Sequence, residues 1–489
     1  MERRVLMHKE VKALVMRGLK EIGAEGAAVA IVKDGKVVLA EGYGYADREN
    51  KVPLTIEHAL PIGSSSKAFT ATGVMMLAAE GKLDIDKPVR EYMPRFCLDD
   101  PDARDVTARD LLCHRTGLPR HDLFWITWPD IKRDELIFSR VRHMKANKTF
   151  RSKWEYNNHM YAAAGKLIEE ISGKSWEEFT RKRIFKPLGM TSSFFWQDEP
   201  CDIKQSVLYK EENGKRVPCE SENVPAMGPA GSIRATITDV AEWLKFNLAK
   251  GKAGRKKLLD EVSFSELWKP NMPYELLPFT IPETRTVGYG LGWFVDTFRG
   301  ELRIEHGGNV SGATSEVSML PEKNIGVAVL TNQGSGNALT SSLVSHIFDM
   351  LLGIDDGTDW IAIWNEKFNE LKTMQLGQFD SMREAVPDKP ASHDWDEYAG
   401  KYEHPGYGQI EVIVNKRKKQ KLTVNMHGNI YPLIHMHYDV FRVEIHDIPI
   451  PVIFRTGPKG DICAVDISME MSLPEMITYT RIPEPEGKE

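Results

Sequence analysis

The chain has 489 residues, more than one ordinary core accommodates, so two to three domains are expected. Its 42% hydrophobic, 27% charged and 9% aromatic content is that of a folded globular protein, which excludes disorder, collagen-like repeats and a disulfide miniprotein. The 64 basic and 70 acidic residues leave a net charge of −6, which makes no case for a nucleic-acid partner, and no uncharged apolar run reaches the ~18 residues of a membrane span.

The opening stretch MERRVLMHKEVKALVMRG is broken by charges every few residues. It reads as an amphipathic helix and lacks the apolar centre of a signal peptide. The expectation is a cytoplasmic protein, or one whose leader has been removed. Two β-branched runs, 26–33 and 36–42, flank Asp34-Gly35 and predict a hairpin. Residues 66–80 are apolar nearly all round and predict a buried helix, with Gly81 as its cap. From 85 to 230 the pattern is helical with many loops. Helices are expected at 107–113 and at 160–171, the second closed by Gly173. Thr238 and Asp239 mark the start of another at 238–250. Strands are expected at 289–297, 301–306, 313–320 and 325–331, followed by a helix at 338–352. Strands at both ends with helices between predict an α+β segment built on an antiparallel sheet with a helical insertion.

Residues 355–395 differ: a charged helix (WIAIWNEKFNELKTM) precedes a Pro-, Ser- and charge-rich stretch, 380–394, that reads as a linker. From 397 onward eight short runs with turn residues between them predict a small antiparallel barrel. The expected organisation is a catalytic domain at 1–355, a helical connector and linker at 356–394, and a barrel domain at 395–489.

Three motifs carry chemistry. The first is Ser64-Ser65-Ser66-Lys67, opening the buried helix. Three residues apart on a helix, Ser64 and Lys67 share a face. A serine hydroxyl needs an adjacent base, and a lysine becomes one only when burial or nearby cations lower its pKa. The amide of Ser64 at the helix start can also donate to a developing oxyanion. Taken alone, Ser64 can equally be a helix cap. The second motif is Tyr156-Asn157-Asn158, just before a helix. Its phenol can relay protons if a neighbouring ammonium lowers its pKa, and its amide can hold a substrate or the lysine. The plainer alternative is a packing aromatic with Asn158 as a cap. The third is His306-Gly307-Gly308-Asn309 at a strand end. Its glycines let a substrate lie along the strand, although a histidine there is often structural.

In this order the three motifs resemble the serine β-lactamases and penicillin-binding DD-peptidases, specifically the class C β-lactamase-like branch. The similarity runs from about residue 10 to about 352 and includes ARDLLCHRTGLP, FKPLGMTSS, the GPAGSI segment at 228–233 and GYGLGWF. The resemblance implies the family's α+β fold and implies roles: Ser64 the acylated nucleophile, Lys67 its base, Tyr156 a second acid/base. It further implies Asn158 and His306 as substrate-orienting groups. Gly308 would let substrate lie against the strand, and the amides of Ser64 and Asn309 would form an oxyanion hole. No metal or other cofactor belongs to that chemistry. His306-Gly307-Gly308 replaces the family's Lys-Thr-Gly, so a weaker, pH-dependent anion site is expected and penicillin hydrolysis is placed in doubt. The last 95 residues or so (EYAGKYEHPGYGQIEVIV onward) resemble the lipocalin-like barrel of some peptidases of this branch, where it contributes oligomer contacts or shapes access to the active site.

The expected activity is a serine hydrolase acting on a short peptide, with a D-amino-acid peptide the sharper candidate, or on an ester. An acyltransferase, a β-lactamase and a non-catalytic binding protein on the same scaffold are the alternatives. The expected partner is a small-molecule or short-peptide substrate, with no nucleic acid or membrane and with homo-oligomers in view. The five cysteines are odd in number and lack CxxC spacing, so free thiols are expected; a Cys201–Cys219 bridge would need an oxidising compartment. His435 and His437 with His427 read as an exposed barrel face rather than a metal site. Lys416-Arg417-Lys418-Lys419 reads as a solvated hairpin tip. There is no Gly-x-Ser-x-Gly elbow, which argues against an α/β-hydrolase.

Overall fold

The computed structural model describes residues 2–198, 202–212, 214–275, 278–415 and 421–483. Cys201 and Lys416–Lys419 lie outside the described residues.

The predicted hairpin forms from Gly26–Lys33 and Lys36–Asp47, turning through Asp34 and Gly35 at φ 51° and 72°. Those left-handed values suit an Asp-Gly turn. An eight-stranded sheet is completed in the order Thr284–Tyr289, Phe294–Phe298, Glu301–Val310, Ala313–Leu320, Ile325–Thr331, Gly26–Lys33, Lys36–Asp47, Val52–Pro53. Strand 26–33 therefore lies beside 325–331, joining the two ends of the segment with antiparallel register from Ala27↔Thr331 to Lys33↔Ile325.

The central strands are apolar throughout because both faces are covered. On one face Val29, Ile31 and Val327 pack against Val15 of the first helix, Leu343 of the helix Asn337–Leu352 and Trp360. On the other, Ala28, Ala30 and Leu330 share a core with the helices Ser66–Ala79 and Ile237–Leu248. The 66–79 helix is buried from Ser66 to Leu77, as its uniformly apolar text predicts.

Several details differ from expectation. Helix 237–248 starts one residue earlier than expected, because Thr236 accepts the amide of Asp239 as its cap. The predicted strand 289–297 is two strands broken at Gly290–Trp293. A Cβ on Gly292, at φ 77°, would lie 3.0 Å from the Lys67 carbonyl, so this break lets the chain pass the 66–79 helix. A small sheet forms from Ala59–Pro61, Ile233–Thr236 and Phe194–Phe195, the last of which lies within the stretch read as helical. The charged helix runs on through Trp360–Arg383, overlapping the expected linker. Its end is anchored by Arg383, whose guanidinium bonds Glu444 at 3.1 Å through two nitrogens.

The C-terminal residues close an eight-stranded barrel, with Gly400–His404 pairing back to Ile477–Arg481. Along Val440–Ile445 burial alternates, sending Phe441, Val443 and Ile445 inward. The interior is occupied by aromatic rings, with Tyr398, Phe441 and Phe454 at 4.9–5.3 Å from one another. The barrel is lipocalin-like in shape, but this part of its interior is packed core.

Among the described residues no helix is long and apolar enough to cross a membrane.

Candidate active site

Gly63–Ser65 form a tight turn that runs directly into the helix Ser66–Ala79. Gly63 sits at φ 49°, a conformation that favours glycine. Two serines fasten this turn to strands 301–310 and 313–320. Ser65 Oγ donates to the carbonyl of His306 at 3.0 Å, and Ser315 Oγ donates to that of Ile62 at 2.7 Å. The contact is backbone to backbone. A Cβ on Gly308 would lie 2.0 Å from Ile62 O and 2.8 Å from Ser64 N, and one on Gly63 would lie 2.9 Å from Asn309 N. Glycine at 63 and 308 thus lets the amides of Ser64 and Asn309 come together beside the Ser64 hydroxyl.

Lys67 is fully buried. Its Nζ lies 2.9 Å from Ser64 Oγ, 2.7 Å from Asn158 Oδ1 and 2.9 Å from the Ala230 carbonyl. These contacts are all to neutral oxygens. Burial holds the Lys67 pKa well below its ordinary value, the Arg120 guanidinium pushes it further down, and Asp122 opposes them. The geometry suits a neutral amine: it donates to the two carbonyl oxygens and accepts the Ser64 proton on its lone pair.

Tyr156 interacts with Ser64, and Lys67 Nζ lies 4.8 Å from its ring centroid. Burial raises its pKa despite the opposing pull of Arg120, so it is a phenol at neutral pH. The neighbouring cation does pull this pKa down, but desolvation outweighs it. Asn158 is not the cap of the following helix. Asn157 is, accepting the amide of Met160 at 3.0 Å. The Asn158 amide is spent on the protein, accepting from Lys67 and donating to Asp122 Oδ1 at 2.9 Å. In this state it orients the lysine.

His306 also departs from expectation. It is buried, its Nε2 lies 3.0 Å from the Tyr289 hydroxyl, and its Nδ1 lies 2.6 Å from the Gly307 carbonyl. Burial and Lys67 push its pKa down to about 3. It is therefore neutral across the physiological range, and no pH-dependent anion site arises from it. His114 is likewise neutral, held well below its ordinary value by burial and by Lys67, and its ring lies 4.4 Å from that of Tyr156.

Two further residues of the site, Arg120 and Asp122, lie one and three residues beyond the ARDLLCHRTGLP motif. The Arg120 guanidinium carbon lies 4.9 Å from the Tyr156 ring centroid, on which Lys67 also rests. Arg120 Nε donates to Asp122 Oδ2 at 2.7 Å, and Asp122 Oδ1 receives Trp125 Nε1 at 2.8 Å. Their only sequence signal was adjacency to the ARDLLCHRTGLP motif. Between them, His121 sits in the left-handed region at φ 49°. Its amide donates to Glu470 Oε2 of the barrel at 2.6 Å, and its Nδ1 meets the Tyr407 hydroxyl, also of the barrel. Among the described residues no three His, Cys, Asp or Glu side chains are grouped to hold a metal.

A turn-borne serine bonded to a buried lysine, with a phenol beside both, agrees with what sequence comparison finds. The beta-lactamase family model matches residues 11–349. The chain belongs to the beta-lactamase family. Residues 384–478 match a second model, a domain of unknown function (DUF3471). Among curated relatives of this family member, an unguisins hydrolase of Aspergillus campestris is 27% identical over 479 residues, covering 92% of this chain and 87% of that protein. Protein flp of Staphylococcus aureus is 27% identical over 349 residues, 69% of this chain and 65% of flp. The octameric penicillin-binding protein homologue from Pyrococcus abyssi shares the fold with a TM-score of 0.63 at 24% identity, covering 96% of this chain and 99% of that one. The D-amino acid amidase from Ochrobactrum anthropi SV3 does so with a TM-score of 0.58 at 23% identity, covering 71% and 99%.

Proposed function

We propose that this protein is a serine hydrolase that works through an acyl-enzyme on Ser64. The observation that carries the reading is Lys67 Nζ, buried and held by neutral oxygens only, 2.9 Å from the Ser64 hydroxyl. The neutral amine takes the hydroxyl proton as Ser64 Oγ attacks a substrate carbonyl. The oxyanion lies between the amides of Ser64 and Asn309. The C–O or C–N bond to the leaving group breaks as Tyr156 gives it the phenolic proton, and the Lys67 ammonium restores that proton. Water then attacks the ester by the same route in reverse, releasing the acid and freeing Ser64.

A relative named a hydrolase and a fold neighbour named a D-amino acid amidase support amide cleavage, with a short D-amino-acid peptide the sharper candidate and an ester the simpler one. The test is intact-mass detection of a fluorophosphonate adduct. One adduct per chain is expected on the wild type and none on Ser64→Ala; labelling that survives the substitution overturns the assignment. Turnover of p-nitrophenyl esters, D- and L-aminoacyl anilides and a chromogenic cephalosporin then separates the substrate classes. Partition of the acyl group to an added amine over water would mark an acyltransferase.

A further inference from the structure

We propose that Arg120 forms a carboxylate-binding subsite beside Ser64, so that preferred substrates carry a carboxylate near the scissile bond. The inference rests on the acyl-enzyme reading and adds a substrate class to it.

The other cationic candidates in the site are unsuited to an anion. His114 and His306 are neutral, and Lys67 is buried and committed to Ser64, Asn158 and Ala230. Arg120 differs in being reachable: its side chain is 54% exposed although it rests on the buried Tyr156 ring. Its Nε is taken by Asp122, and its two terminal nitrogens have no protein hydrogen-bond partner among the described residues. That end is the planar fork that accepts a carboxylate through two parallel bonds.

The nearby negative charges do not fill this fork. Asp122 already receives Arg120 Nε, Trp125 Nε1 and Asn158 Nδ2. Glu470 receives the amide of His121 on one oxygen, and the amide and hydroxyl of Ser472 at 3.0 and 2.7 Å on the other. Both carboxylates are turned toward their own donors.

The backbone on either side of Arg120 is fixed. The Pro119 carbonyl receives Asn157 Nδ2, and His121 is held by Glu470, Tyr407 and the Lys145 carbonyl at 2.9 Å. The fork is therefore presented at a set place relative to Tyr156, which itself touches Ser64. A preset guanidinium loses little freedom when a substrate binds.

The test compares anionic with neutral esters. One pair places the charge in the acyl group: p-nitrophenyl hydrogen glutarate against p-nitrophenyl pentanoate. A second pair places it in the leaving group: a carboxyl-substituted nitrophenyl butyrate against p-nitrophenyl butyrate. The wild type is expected to favour the anionic member of one pair in kcat/KM, and the pair that responds tells which side of the scissile bond carries the carboxylate. In Arg120→Gln that preference falls by about 10- to 100-fold, the range for a lost charge-assisted bond, while Arg120→Lys keeps part of it. The ratio is the readout because Arg120 also acts on Lys67 and Tyr156, which alters both members of a pair alike. Fluorophosphonate labelling of each variant reports an intact Ser64 site. Labelling with unchanged ratios in both pairs overturns the Arg120 subsite alone. Neither labelling nor turnover in the wild type overturns the acyl-enzyme reading and the subsite with it.

Discussion

Two buried cations lie on opposite faces of the same sheet, and their surroundings are opposite in kind. Lys67, on the face that carries Ser64, meets only neutral oxygens, and its pKa is held down. Arg303 lies on the other face. It forms a two-nitrogen pair with its cross-strand neighbour Asp296, both bonds at 2.7 Å, with Glu305 a further 3.4 Å contact, and its pKa is held up. Strand 301–310 sorts residues between these faces by alternation: Arg303 and Glu305 point one way, His306 and Gly308 the other. A buried charge is costly unless it is paired. The structural cation has the pair. The other lacks one, and burial pushes its pKa down toward the neutral amine, the form that a base for Ser64 would need.

The comparison breaks most visibly at Lys67. Lys67→Met removes the base and leaves a volume that methionine can fill. A loss of about 10²- to 10⁴-fold in kcat is expected, the usual share of general acid–base catalysis, with no fall in Tm. The pH dependence follows from the lowered pKa. Activity requires the neutral amine, so it is present above the folded-state pKa and lost as pH falls through it. Stability has a matching sign. Between that pKa and the ordinary lysine value the unfolded chain holds the extra proton, so Lys67 makes stability rise with pH there. Lys67→Met should flatten that rise, as urea titrations across pH would measure. A steep fall in Tm would mean that Lys67 is a structural cation like Arg303.

Arg303→Met inverts the outcome. It leaves Asp296 buried without its cation, and a loss of about 3–5 kcal/mol in unfolding free energy is expected. Adding Asp296→Leu should recover most of it, because the uncompensated charge is then gone as well. Fluorophosphonate reactivity of Ser64 below the new Tm should stay near the wild-type rate. Strong loss of reactivity in a folded double variant would show that the two faces are coupled.

Much of this arrangement is legible in the sequence. Ser64 and Lys67 are three apart at the head of an apolar helix, so their contact is a local consequence of helix geometry. The eight barrel strands are legible for a similar reason, since each is a short alternating run set off by turn residues. What is not legible depends on distant contacts. The helix 360–383 overruns its expected end because Arg383 finds Glu444 of the barrel, which no local signal announces. Asn157, not Asn158, caps its helix, a difference of one residue that frees the Asn158 amide for Lys67 and Asp122. The fate of His306 was unreadable too: a strand-end histidine gives no sign of burial, and burial is what makes it neutral. Arg120 and Asp122 matter only because the chain returns at Tyr156 and Asn158.

Among the contacts between the barrel and the catalytic segment, those at His121 lie nearest Arg120 and Asp122 in the chain. His121 stands between Arg120 and Asp122, and its left-handed backbone is held by Glu470 and Tyr407. Glu470→Gln keeps the shape of the side chain and weakens one charge-assisted bond to the His121 amide. The expected effect is the smallest of the set, about 2- to 10-fold in kcat/KM, the range for one net hydrogen bond. Its pattern distinguishes positioning from bulk stability. A loosened His121 lets Arg120 drift from the Tyr156 ring, which removes part of the positive field on Lys67 and raises its pKa. The acid limb of the kcat/KM profile should therefore move to higher pH, with Tm little changed. A lower Tm with an unmoved acid limb would reduce the barrel contact to ordinary packing. A moved limb would make the barrel part of the same electrostatic balance that holds the Lys67 pKa down while that of Arg303 is held up.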